Sequence, residues 1–326
     1  MRRFFLTIIS LFLFLYLYAD GGIWLPNINT SYWNHIRERG MILSMRELYD
    51  DESISLKDAI IRFGNGCSGV IVSDNGLLMT NYHCALRYVE QVSTKECDFL
   101  SEGYWAEKNP EIPIEGLSVR FLIKTEDVTD SLRSEDGRIL PEKERKGKIK
   151  ILEKRCTDKM SGYEGKIVSM FSGNRYYLYQ YQVFDDIRYQ GFIAGMNRSQ
   201  GIEKRKEEEA LFEACLEKDP VSHDKYGSLL EEMRRTERDY AVNGTIPTCF
   251  IATNHTVGGN SGSPVFNASG ELIGLNFDRN WEGTISDVMY DESVCRNITV
   301  DMRYVLFIID KYAEAQSILK ELVIHK

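Results

Sequence analysis

The run Gly66-Cys67-Ser68-Gly69-Val70-Ile71-Val72-Ser73-Asp74-Asn75-Gly76-Leu77-Leu78-Met79-Thr80-Asn81-Tyr82-His83-Cys84 constrains the fold more than any other stretch of the chain. Gly66 to Ser73 and Leu77 to Cys84 both read as strands, and Asn75-Gly76 between them is the strongest short-range hairpin signal. With Asp74 facing Leu77 across a two-residue loop, antiparallel register sets Cys67 opposite Cys84. A Cys67–Cys84 disulfide is therefore expected, and with it an oxidising compartment. The N-terminus points the same way. Arg2 and Arg3 precede the apolar run Phe4 to Tyr18, and Ala19 offers a small residue for cleavage before Asp20. That is the layout of a secretory signal peptide over residues 1–19, and the run is short for a membrane span. A periplasmic or secreted mature protein is expected, free of the membrane once the signal is cleaved. The seven cysteines show no C-x-x-C spacing, so no metal site is expected, and their odd number leaves at least one thiol unpaired.

A length of 326 residues with 43% hydrophobic composition allows two packed lobes and an appendage. The formal net charge of -9 argues against nucleic acid as a partner, since phosphate binding calls for a basic surface. Ser31 to Ser53 reads as helix, Leu117 to Lys124 as strand, and the densely charged Asp127 to Met170 as one or two solvated helices. Tyr176 to Tyr189 returns to strand-like alternation. From Asn197 to Arg238 Lys, Glu and Arg dominate, with Ile202, Leu211, Ala214, Leu230 and Met233 at helical intervals, which predicts an amphipathic helical hairpin. Strands are expected again over Thr248 to Thr253, Pro264 to Asn267 and Glu271 to Phe277, then a closing helix from Met302 to Leu322. Residues 20–190 and 245–326 would thus form the two parts of one β-rich body, with residues 191–244 as a helical cap between them.

Gly258-Gly259-Asn260-Ser261-Gly262-Ser263-Pro264 carries the sharpest chemical signal. A serine that attacks a carbonyl must project its oxygen from a tight turn, with backbone N–H groups converging on the developing oxyanion. Ser261 is the candidate nucleophile, and the N–H groups of Gly259 and Ser261 are the candidate oxyanion donors. Such a hydroxyl needs an imidazole to accept its proton. Of the five histidines, His83 is the candidate general base; His255, six residues before Ser261, is expected to line the pocket.

The segments GCSGVIVSDNGLLMTNYHC, DGGIWLP, CFIATNHTVGGNSGSPVF and RYVLFIIDKYA together resemble the periplasmic bacterial dipeptidyl peptidases of serine type. The resemblance runs over most of the chain from Asp20 onward. It implies a mainly β fold with an α insert: a chymotrypsin-like double β-barrel, here incomplete, with a shortened helical cap and a C-terminal helix. It also implies release of dipeptides from short peptides with a free N-terminus, without a cofactor. Arg279, in LNFDRN, stands where the acid-specific members carry arginine, which implies Asp or Glu before the cut through a bidentate guanidinium–carboxylate pair. Asp278 matches the acidic residue that receives the substrate ammonium. The family's triad aspartate lies in a Gly-Asp-rich, Trp-containing segment for which this chain has no counterpart, because Asp185-Asp186-Ile187-Arg188 passes straight into YQGFIAGMNRSQG. Asp185 and Asp186 precede that position and are not expected to replace it. Two other readings remain open, a secreted trypsin-like endopeptidase and a catalytically impaired fragment of the family. A homodimer is left open as well.

Overall fold

The computed structural model describes residues 30–158, 161–192, 240–242, 246–287 and 289–325. The signal peptide and the helical cap expected over residues 1–19 and 191–244 therefore lie wholly or largely outside the described residues.

In chain order the first strands are β1 (Ile60–Phe63), β2 (Cys67–Ile71), β3 (Leu78–Met79), β4 (Tyr104–Trp105), β5 (Ile112–Pro113), β6 (Val119–Asp127) and β7 (Tyr163–Met170). They are followed by β8 (Arg175–Phe184), β9 (Arg188–Tyr189), β10 (Gly191–Phe192), β11 (Cys249–Ala252), β12 (Pro264–Phe266), β13 (Leu272–Arg279) and β14 (Asn297–Asp301). An antiparallel sheet of order β3-β2-β1-β6-β8-β7 forms the first part, and one of order β11-β14-β13-β12 forms the second. Among the described residues neither sheet closes on itself, so the fold is mainly β with incomplete barrels.

The hairpin exists, but its register differs from the one expected. Val70 pairs with Met79 and Ile71 with Leu78, and the N–H of Val72 donates to the carbonyl of Leu77 at 2.8 Å. The loop is thus four residues, Ser73 to Gly76, closed by Gly76 N–H donating to Ser73 O at 3.1 Å, with Gly76 at φ +84°. Continued to Cys67, this register would face Tyr82 rather than Cys84. The disulfide forms nonetheless, with Cα atoms 5.9 Å apart, because the second strand stops at Met79. The chain then enters a helix, Tyr82–Val92, with Asn81 as the extended residue before it. Ala85, Tyr88, Val89 and Val92 recur at helical spacing there, and Cys84, Tyr88 and Val89 are buried. His83 and Cys84 therefore sit on the first turn of a helix and not at the end of a strand.

That helix packs on β1 and β6 through Ile61, Phe63, Val89, Leu117 and Val119, the core of the first part. The charged stretch holds one helix, Glu142–Cys156. Among its other described residues are a short 3-10 turn, Asp130–Leu132, and β7, paired along its full length with β8. Gly165 and Ile167 turn inward while Lys166 between them is exposed, so β7 is a one-sided strand whose outer residues gave it a helical, solvated look. The closing helix is three pieces, Met302–Phe307, Ile308–Tyr312 and Gln316–Glu321, broken where Glu314 takes φ +54°. This C-terminal stretch joins the two parts. Met302 is buried with Val70 of β2 and Leu275 of β13, and Ile309, Ala313, Ala315 and Ile318 form a cluster against which Leu77 and Met79 of the hairpin pack.

Among the described residues Cys97, Cys156, Cys249 and Cys295 are unpaired. Asn297, which opens an Asn-Ile-Thr sequence, is 1% exposed and lies inside the second sheet, where no glycan could be attached to it. The 17-residue separation of Cys67 and Cys84 predicts that replacing both by alanine lowers the unfolding free energy by about 3 kcal/mol, measured by denaturant titration.

Candidate functional site

The Ser261 turn is held from two sides. On one side β2 clasps it: Ser68 N–H donates to Ser261 O at 2.8 Å, and Ser68 Oγ donates to Gly259 O at 3.0 Å. On the other side it continues the β12–β13 hairpin. Gly262 N–H donates to Asn276 O, and Asn276 N–H to Ser263 O, both at 2.8 Å. Beneath the turn lies a buried amide network. Asn276 Nδ2 donates to Asn260 O at 3.1 Å, while its Oδ1 accepts from Thr256 Oγ1 and from Asn297 Nδ2, both at 3.0 Å. Asn260 Oδ1 in turn accepts the N–H of Val257 at 2.8 Å. Every polar atom of the Asn276 side chain is therefore matched, as burial in a low-dielectric site demands.

Gly262 stands at φ +82°, and a Cβ there would run into Ser68 O and Thr80 Oγ1. Both the backbone conformation and the close approach to β2 require glycine. Gly259 also takes a positive φ, +95°. Of the backbone N–H groups in the turn, those of Asn260, Gly262 and Ser263 are bonded within the protein. The N–H groups of Gly259 and Ser261 have no acceptor among the described residues. The Gly258 N–H is open as well; with Gly259 exposed and Ser261 half-buried, the Gly259 and Ser261 donors beside the hydroxyl are free to meet a ligand oxygen.

His83 is brought to the same place by the disulfide. One of its ring nitrogens and the sulfurs of Cys67 and Cys84 lie within 4.8 Å of one another. With the sulfurs joined to each other this group offers one imidazole and no thiolate, so it is not a metal centre in this form. The ring also meets Phe277 edge-on, with centroids 5.3 Å apart. The carbonyl of that same Phe277 accepts the Ser261 hydroxyl at 3.4 Å. The hydroxyl is thus turned to Phe277 and makes no hydrogen bond to His83. Partial desolvation by these neighbours pushes the His83 pKa below the usual value of 6.5, against a smaller upward pull from the negative charge of Asp278.

Among the described residues no carboxylate makes a salt bridge or hydrogen bond to His83. Asp186 is engaged by Arg188 at 3.1 Å, and Asp185 lines a separate surface hollow with residues 113–118. Asp278 is exposed, and among the described residues its carboxylate accepts only the adjoining Arg279 N–H, at 2.8 Å. Arg279 is held on several sides, its Nη1 donating to Thr256 O, Ser286 Oγ and Asp287 Oδ1 at 3.0, 2.9 and 2.8 Å. Its Nη2 donates to Asp287 Oδ2 at 2.7 Å. His255 forms the wall beyond. Its Nε2 is 3.1 Å from Ser286 O, and its ring lies 4.9 Å from that of Tyr290. The fold thus gathers His83, Gly259, Ser261, Asp278 and Arg279 around the start of the second sheet. Sequence reasoning missed Ser68, Asn276, Asn297 and Asp287. Asn276 and Asn297 had the one available signal, amide residues in strands where apolar side chains are the rule.

The sheet-built body that brings this serine turn beside a partly desolvated histidine is that of a peptidase. The chain belongs to the peptidase S46 family, which it matches over residues 19–190 and 235–324. It is 65% identical over 83 residues to the Asp/Glu-specific dipeptidyl-peptidase of Flavobacterium psychrophilum, 26% of this chain and 12% of that protein. It is 35% identical over 178 residues to the dipeptidyl-peptidase 7 of Capnocytophaga gingivalis, 53% of this chain and 25% of that protein. These alignments therefore take in a quarter or less of each relative's length. The fold superposes on Porphyromonas endodontalis DPP11 in complex with the dipeptide Arg-Glu, with TM-score 0.71 at 17% identity, over 93% of this chain and 99% of that one. On the substrate complex of the same protein the TM-score is 0.73.

Two outcomes follow from this geometry. Gly262→Ala is expected to lower stability by about 2 kcal/mol, from the strained φ and the collision with β2, read from its denaturation midpoint. A base that must be neutral works above its own pKa. The acid limb of any His83-dependent rate should therefore fall below pH 6.5. It should move lower still in Asp278→Asn, which removes the charge that favours protonation; pH profiles of kcat/KM for the two proteins check both shifts.

Proposed function

We propose that this chain is a serine dipeptidyl peptidase that releases N-terminal dipeptides with Asp or Glu in the second position. Ser261 Oγ attacks the scissile carbonyl and passes its proton to His83. The Gly259 and Ser261 N–H groups then receive the oxyanion, and His83 returns the proton to the leaving amine before water resolves the acyl-enzyme. The open pair of N–H donors beside Ser261 carries this reading. A single such donor is typically worth about two to three orders of magnitude in kcat. In this reading the Ser261 hydroxyl turns from Phe277 O to the imidazole once substrate is in place.

Specificity is assigned to the two neighbours on β13. The exposed Asp278 carboxylate would receive the substrate ammonium, and Arg279 the acidic side chain before the cut. The Asp/Glu-specific relative supports this assignment, as does the Arg-Glu dipeptide bound to the superposed protein. Short peptides with a free N-terminus are the partners this implies, in the periplasm or outside the cell.

One observation favours a second reading, slow turnover in a pocket that still binds peptides: no carboxylate among the described residues orients His83. Loss of that group alone typically lowers kcat by about four orders of magnitude. Release of a fluorophore from unblocked Xaa-Asp and Xaa-Glu amides distinguishes the readings. The proposal expects measurable release, reduction to background in Ser261→Ala, and loss on blocking the substrate N-terminus. Equal cleavage of blocked substrates would indicate an endopeptidase. Dipeptide binding with no release and no labelling of Ser261 by a fluorophosphonate would leave only the binding pocket.

A further inference from the structure

The guanidinium of Arg279 has five N–H donors, two on each Nη and one on Nε, arranged in one plane. Asp287 spans its terminal edge, one carboxylate oxygen on each Nη, at 2.8 and 2.7 Å. The remaining face of Nη1 is taken by Thr256 O and Ser286 Oγ, both on buried residues. That leaves one lateral edge, made of Nε–H and the second Nη2–H, without a partner among the described residues. This edge is itself a two-donor fork of the kind that fits a carboxylate. The Arg279 side chain is 17% exposed and that of Asp287 is 57% exposed, so the guanidinium is largely enclosed while its partner stands at the rim.

A second feature gives the pairing a purpose. Asp278 adjoins Arg279 in sequence, and its negative charge is felt by the guanidinium. An Arg279 that was not otherwise held would be drawn to that exposed carboxylate, and both groups would then be occupied by each other.

We propose that Asp287 is a positioning residue for substrate selection: it holds the terminal edge of Arg279, keeps the guanidinium off Asp278, and leaves the lateral Nε/Nη2 edge for the acidic side chain of the substrate. The inference rests on the substrate class proposed above. It differs from the simpler idea that Asp287 occupies the pocket as an internal competitor, because a substrate carboxylate on the lateral edge need not displace it. The two ideas predict opposite signs. Removal of a positioning carboxylate weakens acid preference, whereas removal of a competitor strengthens it.

The test is calorimetric binding of the unblocked dipeptides Ala-Asp and Ala-Asn to the full chain, which is independent of turnover. Wild type should bind Ala-Asp more tightly. In Asp287→Ala and Asp287→Asn the ratio of the two dissociation constants should shrink roughly three- to tenfold, the scale of one charge-assisted partner in a partly exposed pair. Asp287→Glu should restore part of it. Asp287→Asn keeps the shape of the side chain, and an unchanged thermal melt would show that the fold is intact. A ratio that is unchanged or larger in Asp287→Ala, in folded protein, overturns the inference and leaves the substrate class standing. A wild type without acid preference overturns the substrate class, and this inference with it.

Discussion

The contact on which the site depends is the clasp between Ser68 and the Ser261 turn. Two hydrogen bonds from one residue of β2, 2.8 Å to Ser261 O and 3.0 Å to Gly259 O, tie the second sheet to the strand that carries Cys67. The disulfide then ties that strand to Cys84, one residue beyond His83. Serine and histidine come from distant parts of the chain, one from the turn that leads into the second sheet and the other from the helix after β3, and this short relay is what places them together. It works only because Gly262 has no side chain where Ser68 and Thr80 approach. The apolar contact of Val70, Leu275 and Met302 makes the same junction in the core, so the clasp is backed by packing and does not stand alone.

Around that junction the charged groups are arranged by how much water each keeps. Asp278 is exposed and only lightly bonded, which leaves it available to a cation. Arg279 is enclosed and held along its terminal edge, which fixes the direction of its remaining donors. His83 is at the surface as a residue, yet its ring is partly desolvated beside Phe277 and the disulfide, and this favours the neutral form. Each group is tuned by its neighbours on β13 and the turn that follows it, so the second sheet supplies most of the electrostatics of the site.

Much of this was legible in the residues. Glycines on both sides of Ser261 mark a turn, and a histidine beside a cysteine at the end of an Asn-Gly hairpin marks its partner. What misled was local pattern. Leu77 to Cys84 reads as strand because Leu78 and Met79 begin it, but the helical spacing of Ala85, Tyr88, Val89 and Val92 wins from Tyr82 onward. Lys166 and Glu164 make β7 look like a solvated helix, although Gly165 and Ile167 alternate inward. The disulfide was expected from a register the hairpin does not have, and forms by a different route, the first turn of a helix folding back on β2.

The sequence by itself determined the identities that chemistry requires: a glycine-flanked serine, an imidazole, an arginine beside an aspartate, and membership in the peptidase S46 family. These are local or compositional properties, and a linear chain displays them directly. Only the tertiary structure decided which donors stay unpaired, which carboxylate Arg279 meets, and that His83 faces Phe277 and a disulfide with no described carboxylate bonded to it. Those are consequences of groups far apart in the chain competing for the same few hydrogen bonds, and the outcome of that competition is fixed by packing.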